Sequence, residues 1–268
     1  MNFTTNDFVR LTYTDEGQGQ PIIILTGIGG YKEIWLQQIT YLVARHYRVI
    51  NLDCRNQGQS EQTAKGRRIS RHAMDLAELI QQLKLKQVIL LGNSMGAATI
   101  FAYLSLFGDQ NVRAIIDVDQ SPKMINDQTW TYGFKTLTEE NFISYLRKPF
   151  GHSTFKHIDD QTFQAVQYAA KQQAYDAKLN FPFLLDHGLQ DWRDVLSSLT
   201  CPALIIAGGN SPFFPPRFAQ VAAKMAVRGT AVVIPEAGHI VMAEQSQAFN
   251  AVLGEFLANQ VEGEKING

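Results

Sequence analysis

Short apolar runs recur at wide intervals along the chain, and segments with a helical apolar pattern lie between them. Several runs are apolar at consecutive positions, which is typical of strands buried on both faces of a parallel sheet. The predicted strands are residues 22–25, 48–52, 88–91, 114–118, 203–207 and 231–234. The predicted helices are residues 35–45, 70–83, 95–107, 217–225 and 248–258. This alternation predicts an α/β fold with a mostly parallel, doubly wound sheet.

One long stretch, residues 121–198, interrupts the alternation. It holds no run that we predict to be a buried strand, but it holds amphipathic pieces such as residues 138–146 and 160–174. We therefore predict a helical cap at 121–198, inserted into an α/β core of residues 1–120 and 199–268. Most of its aromatic side chains are expected to pack the cap onto the sheet. They are Trp130, Tyr132, Phe134, Phe150, Phe155, Phe163 and Phe183.

The two ends of the chain add an edge and a tail to this scheme. Residues 8–13 precede the turn-rich stretch 15–19, which predicts an antiparallel hairpin at the edge of the sheet. Residues 262–268 are polar and are expected to fray.

The chain has no basic start followed by an apolar run, and no stretch approaches about 18 consecutive apolar residues. We therefore expect no secretory signal, no membrane partner and a cytoplasmic location.

Composition narrows the classes of partner. Of the 268 residues, 45% are hydrophobic and 18% are charged, and the formal net charge is −1. The one basic cluster is short and has no interleaved aromatic residues, so we expect no nucleic-acid partner; it consists of Lys65, Arg67, Arg68 and Arg71. Cys54 and Cys201 are far apart and are predicted to be reduced. No His or Cys cluster has ligand spacing, so we expect neither a metal nor a cofactor.

The sharpest chemical signal is the pentapeptide Gly92-Asn93-Ser94-Met95-Gly96. It lies between an apolar strand and a helical pattern, and a G-x-S-x-G sequence in that context predicts a nucleophile elbow. The turn is sharp, so glycines at its flanks avoid clashes with the neighbouring strand and helix. Ser94 is therefore the predicted nucleophile, at a helix N-terminus whose N–H groups favour developing negative charge. The alternative is a chance occurrence of the pentapeptide.

His239 is the predicted general base, because a serine hydroxyl at its ordinary pKa needs an adjacent base. It follows the last predicted strand in a Gly238-His239 turn, and the order nucleophile, acid, histidine is a known one. The other five histidines lie in predicted helices or in the cap. The alternative is an ordinary histidine on a surface loop.

The loop at 26–30, Thr-Gly-Ile-Gly-Gly, follows the first parallel strand. Its glycines let the backbone turn and offer N–H groups to an oxyanion. We assign a predicted oxyanion hole to the backbone N–H groups of Ile28 and Met95. The alternative is a glycine-rich turn that serves packing only. The loop lacks the G-x-G-x-x-G spacing of a dinucleotide site.

These motifs together resemble the α/β-hydrolase superfamily, in the branch with small helical caps. That branch includes esterases, cofactor-free haloperoxidases, proline iminopeptidases and carbon–carbon bond hydrolases. The similarity covers nearly the whole chain and rests on LTGIGG, DCRNQGQS, GNSMG, CPALIIAGGNSPFFPP and EAGH. Asn56 stands where the family usually has glycine, a tolerable change because Asn visits positive φ. Thr26 stands where many members carry histidine.

The resemblance implies a third triad residue, an acid, whose position is open in this chain. Family members usually carry Asp soon after the strand at 203–207, but this chain has Ser211 there, which cannot carry the charge that stabilises an imidazolium. Some relatives place the acid at the end of the strand after the nucleophile helix, which here ends in Asp119. We predict Asp119 as the acid and Asp117 as the reserve. The alternatives are a turn-capping aspartate and a Ser–His dyad.

This assignment predicts that Asp119→Asn cuts turnover severely, whereas Ser211→Ala has little effect. A serine nucleophile predicts attack on a carbonyl, an acyl-enzyme and its hydrolysis. Because the cap supplies apolar side chains and few charges, the predicted substrate is a small or medium ester.

The predicted pocket residues are Trp130, Phe213 and Phe214, although the two phenylalanines could instead pack the start of a helix. Three other functions are alternatives to ester hydrolysis. They are a hydrolase-fold receptor for a small molecule with slow turnover, a carbon–carbon bond hydrolase and an aminopeptidase.

Overall fold

The computed structural model describes residues 1–262, and a sheet of eight strands forms their centre. The strands are β1 (Asn2–Thr4), β2 (Arg10–Glu16), β3 (Gln20–Leu25), β4 (Tyr47–Asp53), β5 (Val88–Asn93), β6 (Val112–Val118), β7 (Ala203–Gly208) and β8 (Gly229–Ile234). They lie in the order β1-β2-β4-β3-β5-β6-β7-β8. The β1–β2 and β2–β4 pairs are antiparallel and the others are parallel. The predicted mostly parallel α/β sheet is confirmed.

Helices cover both faces of the sheet. They are α1 (Leu36–Val43), α2 (Ile69–Gln82), α3 (Met95–Phe107), α4 (Phe142–Leu146), α5 (Asp160–Gln172), α6 (Ala177–Gly188), α7 (Arg193–Ser198), α8 (Arg217–Ala223), α9 (Val241–Glu244) and α10 (Ser246–Phe256). A 3₁₀ turn, Lys32–Trp35, precedes α1, and a π-helical turn, Leu257–Glu262, follows α10. Helices α2, α3, α7 and α8 share one apolar core with the sheet, and α1 and α10 share the other.

The two cores explain why the strands are apolar at consecutive positions. In β3, Ile23 and Leu25 face the core beneath α2 and α3. Ile22 and Ile24, which alternate with them, face the core beneath α1 and α10. All four side chains are fully buried. A strand between two helix layers has no solvent face, so it needs no polar alternation.

Residues 121–198, the segment that we predict to be a cap, lie between β6 and β7 and contain α4–α7. Helix α5 packs over the 3₁₀ turn Lys32–Trp35. Helix α6 packs on α2, where Phe183 stacks on His72 with their ring centroids 4.3 Å apart. Helix α7 packs on α3 and α8, which flank the sheet. Helices α5 and α6 therefore hold this segment against elements of the core.

Buried charges hold the loop that follows β4. The Arg55 guanidinium is enclosed and bonds the carboxylates of Asp7 and Asp75 at 2.8 Å each. This bridge links the loop to the N-terminal hairpin and to α2, and removing one partner would leave a buried charge uncompensated. Asn56 has a φ of +65°, a left-handed conformation that Asn adopts more readily than most side chains.

Three further sequence predictions concern chain ends and cysteines. Within residues 1–262, no helix is both long enough and apolar enough to cross a membrane. Cys54 and Cys201 are free thiols, and both are buried. Of the tail that we predict to fray, residues 263–268 lie outside the described residues.

Candidate active site

Ser94 lies at the sharp turn between β5 and α3. Its backbone has a φ of +53° and a ψ of −124°, a strained conformation for a residue with a side chain. A Cβ atom on Gly92 would lie 2.4 Å from the backbone nitrogen of Ala97. A Cβ atom on Gly96 would lie 2.2 Å from the carbonyl oxygen of Leu25. Both glycines are therefore required, because neighbouring backbone approaches too closely for any side chain.

A cavity of about 420 Å³ opens beside this turn. Its wall includes Ser94, His239, the loop at 27–30, and side chains of α5 and α6. Among the described residues, no Asp, Glu, Lys or Arg lines it. The cavity therefore carries no formal charge unless one of its histidines is protonated.

His239 follows β8 and is buried in the cavity wall. Its Nδ1 lies 2.7 Å from Oδ2 of Asp119. The side chain of Asn93, next to the nucleophile, donates to the His239 carbonyl oxygen at 3.1 Å, so the histidine loop lies against the elbow. Within residues 1–262, Ser94 Oγ and His239 Nε2 do not form a hydrogen bond with each other. Such contacts are often long without substrate and tighten when it binds.

Asp119 lies at the carboxyl end of β6 and is fully buried. Its backbone has a φ of +55°, and its N–H donates to Ile206 in β7 at 2.7 Å. One carboxylate oxygen accepts the Gly208 N–H at 2.9 Å, and the other accepts the Ser211 hydroxyl at 2.6 Å as well as facing His239. Hydrogen bonds to a carboxylate favour its charged form. Asp119 is thus held as an oriented acceptor for the imidazole.

Known proteins share this arrangement of sheet and loops. The model of a family described as "Alpha/beta hydrolase family" matches residues 22–252. The chain belongs to the α/β-hydrolase family. The predicted resemblance is therefore confirmed.

Three relatives illustrate the range of this α/β-hydrolase family. A solved esterase from Exiguobacterium antarcticum has a TM-score of 0.83 and 25% identity, covering 96% of this chain and 99% of that one. A non-heme haloperoxidase from Rhodococcus erythropolis is 23% identical over 95% of this chain and 98% of its own. An (E)-2-((N-methylformamido)methylene)succinate hydrolase from Acinetobacter baylyi is 26% identical over 91% and 93%. These relatives support a hydrolase without fixing its substrate.

Asp117, the reserve acid, lies deeper in β6 than Asp119. One of its oxygens accepts the Gln120 N–H at 3.1 Å, and the other has no partner among the described residues. Burial raises the pKa of this carboxyl well above its usual range, and the nearby Asp119 raises it further. Burial therefore favours the neutral form of Asp117, and Asp119 is the carboxylate that contacts His239.

Ser211 lies in the loop after β7, where the family resemblance led us to expect the acid. Its hydroxyl donates to Asp119 and accepts weak hydrogen bonds from the N–H groups of Phe213 and Phe214, at 3.3 and 3.4 Å. No role was predicted for this serine, because the contact joins residues 92 positions apart. The only signal for it was the coincidence of a missing acid with a polar replacement.

The loop at 26–30 lies against the elbow, since a Cβ atom on Gly27 would be 3.1 Å from Ser94 Cβ. The backbone N–H groups of Ile28 and Met95, the predicted oxyanion donors, have no hydrogen-bond partner among residues 1–262. Ile28 also lines the cavity. Both N–H groups therefore lack a competing acceptor from the described residues, but Met95 itself is not among the cavity-lining residues.

Two of the three predicted pocket residues line the cavity. Phe213 and Phe214 do so, and their rings lie 4.6 and 6.1 Å from the His239 ring. The prediction that Trp130 lines the pocket is wrong, because this residue is not among those that line the cavity. Its indole N–H donates to Ser121 Oγ at 3.0 Å, and it packs edge-on against Tyr132. Satisfying a buried indole N–H directs this ring away from the cavity.

Glu244 ties the histidine loop to the segment between β6 and β7, a role that no sequence motif indicated. Its buried carboxylate accepts the N–H groups of Gly238 and Ile240, on either side of His239, at 2.9 and 3.1 Å. It also accepts those of Phe155 and Lys156 in that segment, at 2.6 and 2.8 Å. One carboxylate thus fixes the histidine loop and the backbone at 155–156.

His187, on α6, is a second histidine in the cavity wall. Burial, together with the neighbouring His72, lowers its pKa to about 4. The imidazole is therefore neutral near pH 7 and supplies no positive charge to the cavity. Its place in the cavity wall was not predicted, because the packing of α6 is not visible in the sequence pattern.

Proposed function

We propose that the protein is a serine hydrolase that cleaves small or medium acyl esters through an acyl-enzyme intermediate. The observation that supports this most directly is the 2.7 Å contact between His239 Nδ1 and Asp119, in the wall of a cavity that also contains Ser94. An acid that holds one ring nitrogen leaves the other, Nε2, to act as a base.

In the proposed reaction, Ser94 Oγ attacks the ester carbonyl while His239 Nε2 accepts the hydroxyl proton. Asp119 stabilises the imidazolium that forms, and the N–H groups of Ile28 and Met95 stabilise the oxyanion. His239 then gives the proton to the departing alcohol, which leaves an acyl group on Ser94. A water molecule, deprotonated by His239, releases the acid and restores the serine.

The charge of the cavity supports a neutral substrate. A substrate carboxylate in this cavity would be buried without a cationic partner, which is costly. The Acinetobacter baylyi relative is named for a succinate, so we infer that this chain differs from it in substrate charge. A free amine also lacks a carboxylate partner in the cavity wall, which argues against an aminopeptidase.

The test uses nitrophenyl esters of increasing acyl length with the wild-type protein and Ser94→Ala. We expect a burst of nitrophenol equal to the enzyme concentration, then steady turnover above about 1 s⁻¹, the low end of typical enzymes. Ser94→Ala should show neither phase, whereas Ser197→Ala, a change on the exposed side of α7, should match the wild type. Equal turnover by Ser94→Ala would refute the proposal. A single slow turnover would instead support the receptor alternative.

A further inference from the structure

The side chain of Gln57 contacts the loop at 26–30 at two points. Gln57 is buried in the loop that follows β4. Its Nε2 donates to the Gly27 carbonyl oxygen at 3.1 Å, and its Oε1 accepts the Gly29 N–H at 2.6 Å. The two contacts fall on either side of Ile28, whose own N–H has no partner among the described residues. One amide therefore brackets the proposed oxyanion donor.

Peptide geometry connects these contacts to the direction of the Ile28 N–H. The carbonyl of Gly27 and the N–H of Ile28 belong to one planar trans peptide group, so they point in opposite directions. The Gly27 carbonyl accepts both the Gln57 amide and the Gly30 N–H, the latter at 3.0 Å, so the Ile28 N–H is directed away from both donors. This peptide lies next to the nucleophile, with only 3.1 Å from an added Gly27 Cβ to Ser94 Cβ.

We propose that Gln57 is a positioning residue that directs the Ile28 N–H at the oxyanion of the reaction. This inference rests on the proposed function, in which that N–H stabilises the transition state. Gln57 touches no substrate and acts only through the Gly27–Ile28 peptide. An amide is suited to the task because it offers one donor and one acceptor on the same rigid group.

The backbone of Gln57 is fixed independently of its side chain. Its N–H donates to the Cys54 carbonyl at 3.0 Å, and its carbonyl accepts the Ser60 N–H at 3.0 Å. The neighbouring Arg55 is anchored by two carboxylates. A change of the Gln57 side chain should therefore leave this loop in place and alter mainly the orientation of the loop at 26–30.

The experiment compares Gln57→Met, which keeps length but loses both contacts, with Gln57→Glu, which keeps the acceptor but loses the donor. Gln62→Met, an exposed glutamine of the same region, is the matched control. We expect kcat for a nitrophenyl ester to fall about 10- to 100-fold in both Gln57 variants, less than the loss of an oxyanion donor itself. KM should stay unchanged, because the contact acts in the transition state.

A second measurement separates positioning from general structural damage. An aryl boronic acid forms a tetrahedral adduct with the serine and places an oxygen in the oxyanion position. Its affinity should fall by the same factor as kcat in each Gln57 variant, while the thermal midpoint stays that of the wild type. Gln57→Glu keeps the inference testable if Gln57→Met does not fold.

Two outcomes would overturn the inference. One is a wild-type kcat in a folded Gln57 variant. The other is a lower kcat with unchanged boronic acid affinity, which would mean that the oxyanion position is intact. If the wild-type protein itself forms no acyl-enzyme, the proposed function fails instead, and the two failures are thereby distinguished.

Discussion

The nucleophile elbow and the acid–histidine pair line the same cavity but are built in different ways. The elbow is made by five consecutive residues, and its shape requires glycine at two of them, because a Cβ atom there would lie within 2.4 Å of backbone atoms. The acid–histidine pair joins loops after three different strands, and its contacts link residues 89 to 120 positions apart. The first therefore depends on backbone packing around one short turn, and the second on side-chain hydrogen bonds across the sheet.

Because the Asp119–His239 contact depends on loops at strand ends, a carboxylate in another of those loops could replace Asp119. Strands β6 and β7 are parallel neighbours, with Val118 opposite Ile206. Their carboxyl ends therefore lie side by side, and a carboxylate after either strand can reach the same histidine. In this chain Asp119 follows β6. Ser211 follows β7, and its hydroxyl donates to Asp119 Oδ2, the oxygen that also contacts His239.

The largest effect is expected from Asp119→Asn, which removes the charge and keeps the shape. We expect kcat to fall by about 10³- to 10⁴-fold, because an amide favours the wrong histidine tautomer. Steady-state kinetics with a nitrophenyl ester would measure this. A variant with wild-type kcat would remove Asp119 from the mechanism and leave a Ser–His dyad.

The double variant Asp119→Asn/Ser211→Asp sharpens the same point. If either strand end can supply the acid, we expect kcat of the double variant to exceed that of Asp119→Asn by at least about tenfold. No recovery would show that β7 no longer positions an acid for His239.

The elbow should respond to volume rather than charge, and Gly96→Ala tests this. The added methyl would overlap the Leu25 carbonyl oxygen at 2.2 Å. We expect the free energy of unfolding to fall by about 1–3 kcal/mol and kcat to fall by about 100-fold as Ser94 is displaced. Urea unfolding and kinetics would measure the two. The control is Gly254→Ala in α10, where the added methyl meets the flexible side chain of Tyr41 in α1; this variant should keep wild-type kcat.

A smaller effect is expected from Ser211→Ala, contrary to the sequence-based expectation of almost none. The change removes one of the hydrogen bonds that orient the Asp119 carboxylate, so kcat should fall by about tenfold. Ser211→Thr, which keeps the hydroxyl, is the control and should retain most activity. If Ser211→Ala has the same kcat as the wild type, the sequence-based expectation of little effect is correct.

The smallest effect on activity is expected from Asp117→Asn, since Asp117 does not touch the histidine. Its effect should appear in stability instead. The raised pKa means that the folded protein keeps a proton that the unfolded chain releases above about pH 3.9, so this group costs stability as pH rises. The variant should therefore gain stability relative to wild type between pH 4 and pH 7, as urea unfolding would measure. A constant difference across that range would contradict a neutral Asp117.

The sequence by itself determined the sheet, its helix layers and the nucleophile turn. Consecutive apolar residues such as Ile22 to Leu25 indicate a strand that is buried on two faces. The glycines around Ser94 indicate that other backbone atoms approach this turn closely. The apolar run is a property of neighbouring positions, and the glycines belong to a known five-residue motif, although the atom that approaches Gly96 belongs to Leu25 on another strand. The role of Asp119 remains a prediction from the family resemblance, and the structure places its carboxylate 2.7 Å from the His239 ring nitrogen.

Only the tertiary structure decided which distant groups meet. It brought Ser211 to Asp119, Gln57 to the peptide before Ile28 and Glu244 to both sides of His239, and it turned Trp130 away from the cavity. These contacts depend on how loops from separate strands lie against one another and on where each side chain finds a partner. Hydrophobic pattern and turn chemistry describe a residue's neighbours along the chain, and they carry no information about those directions.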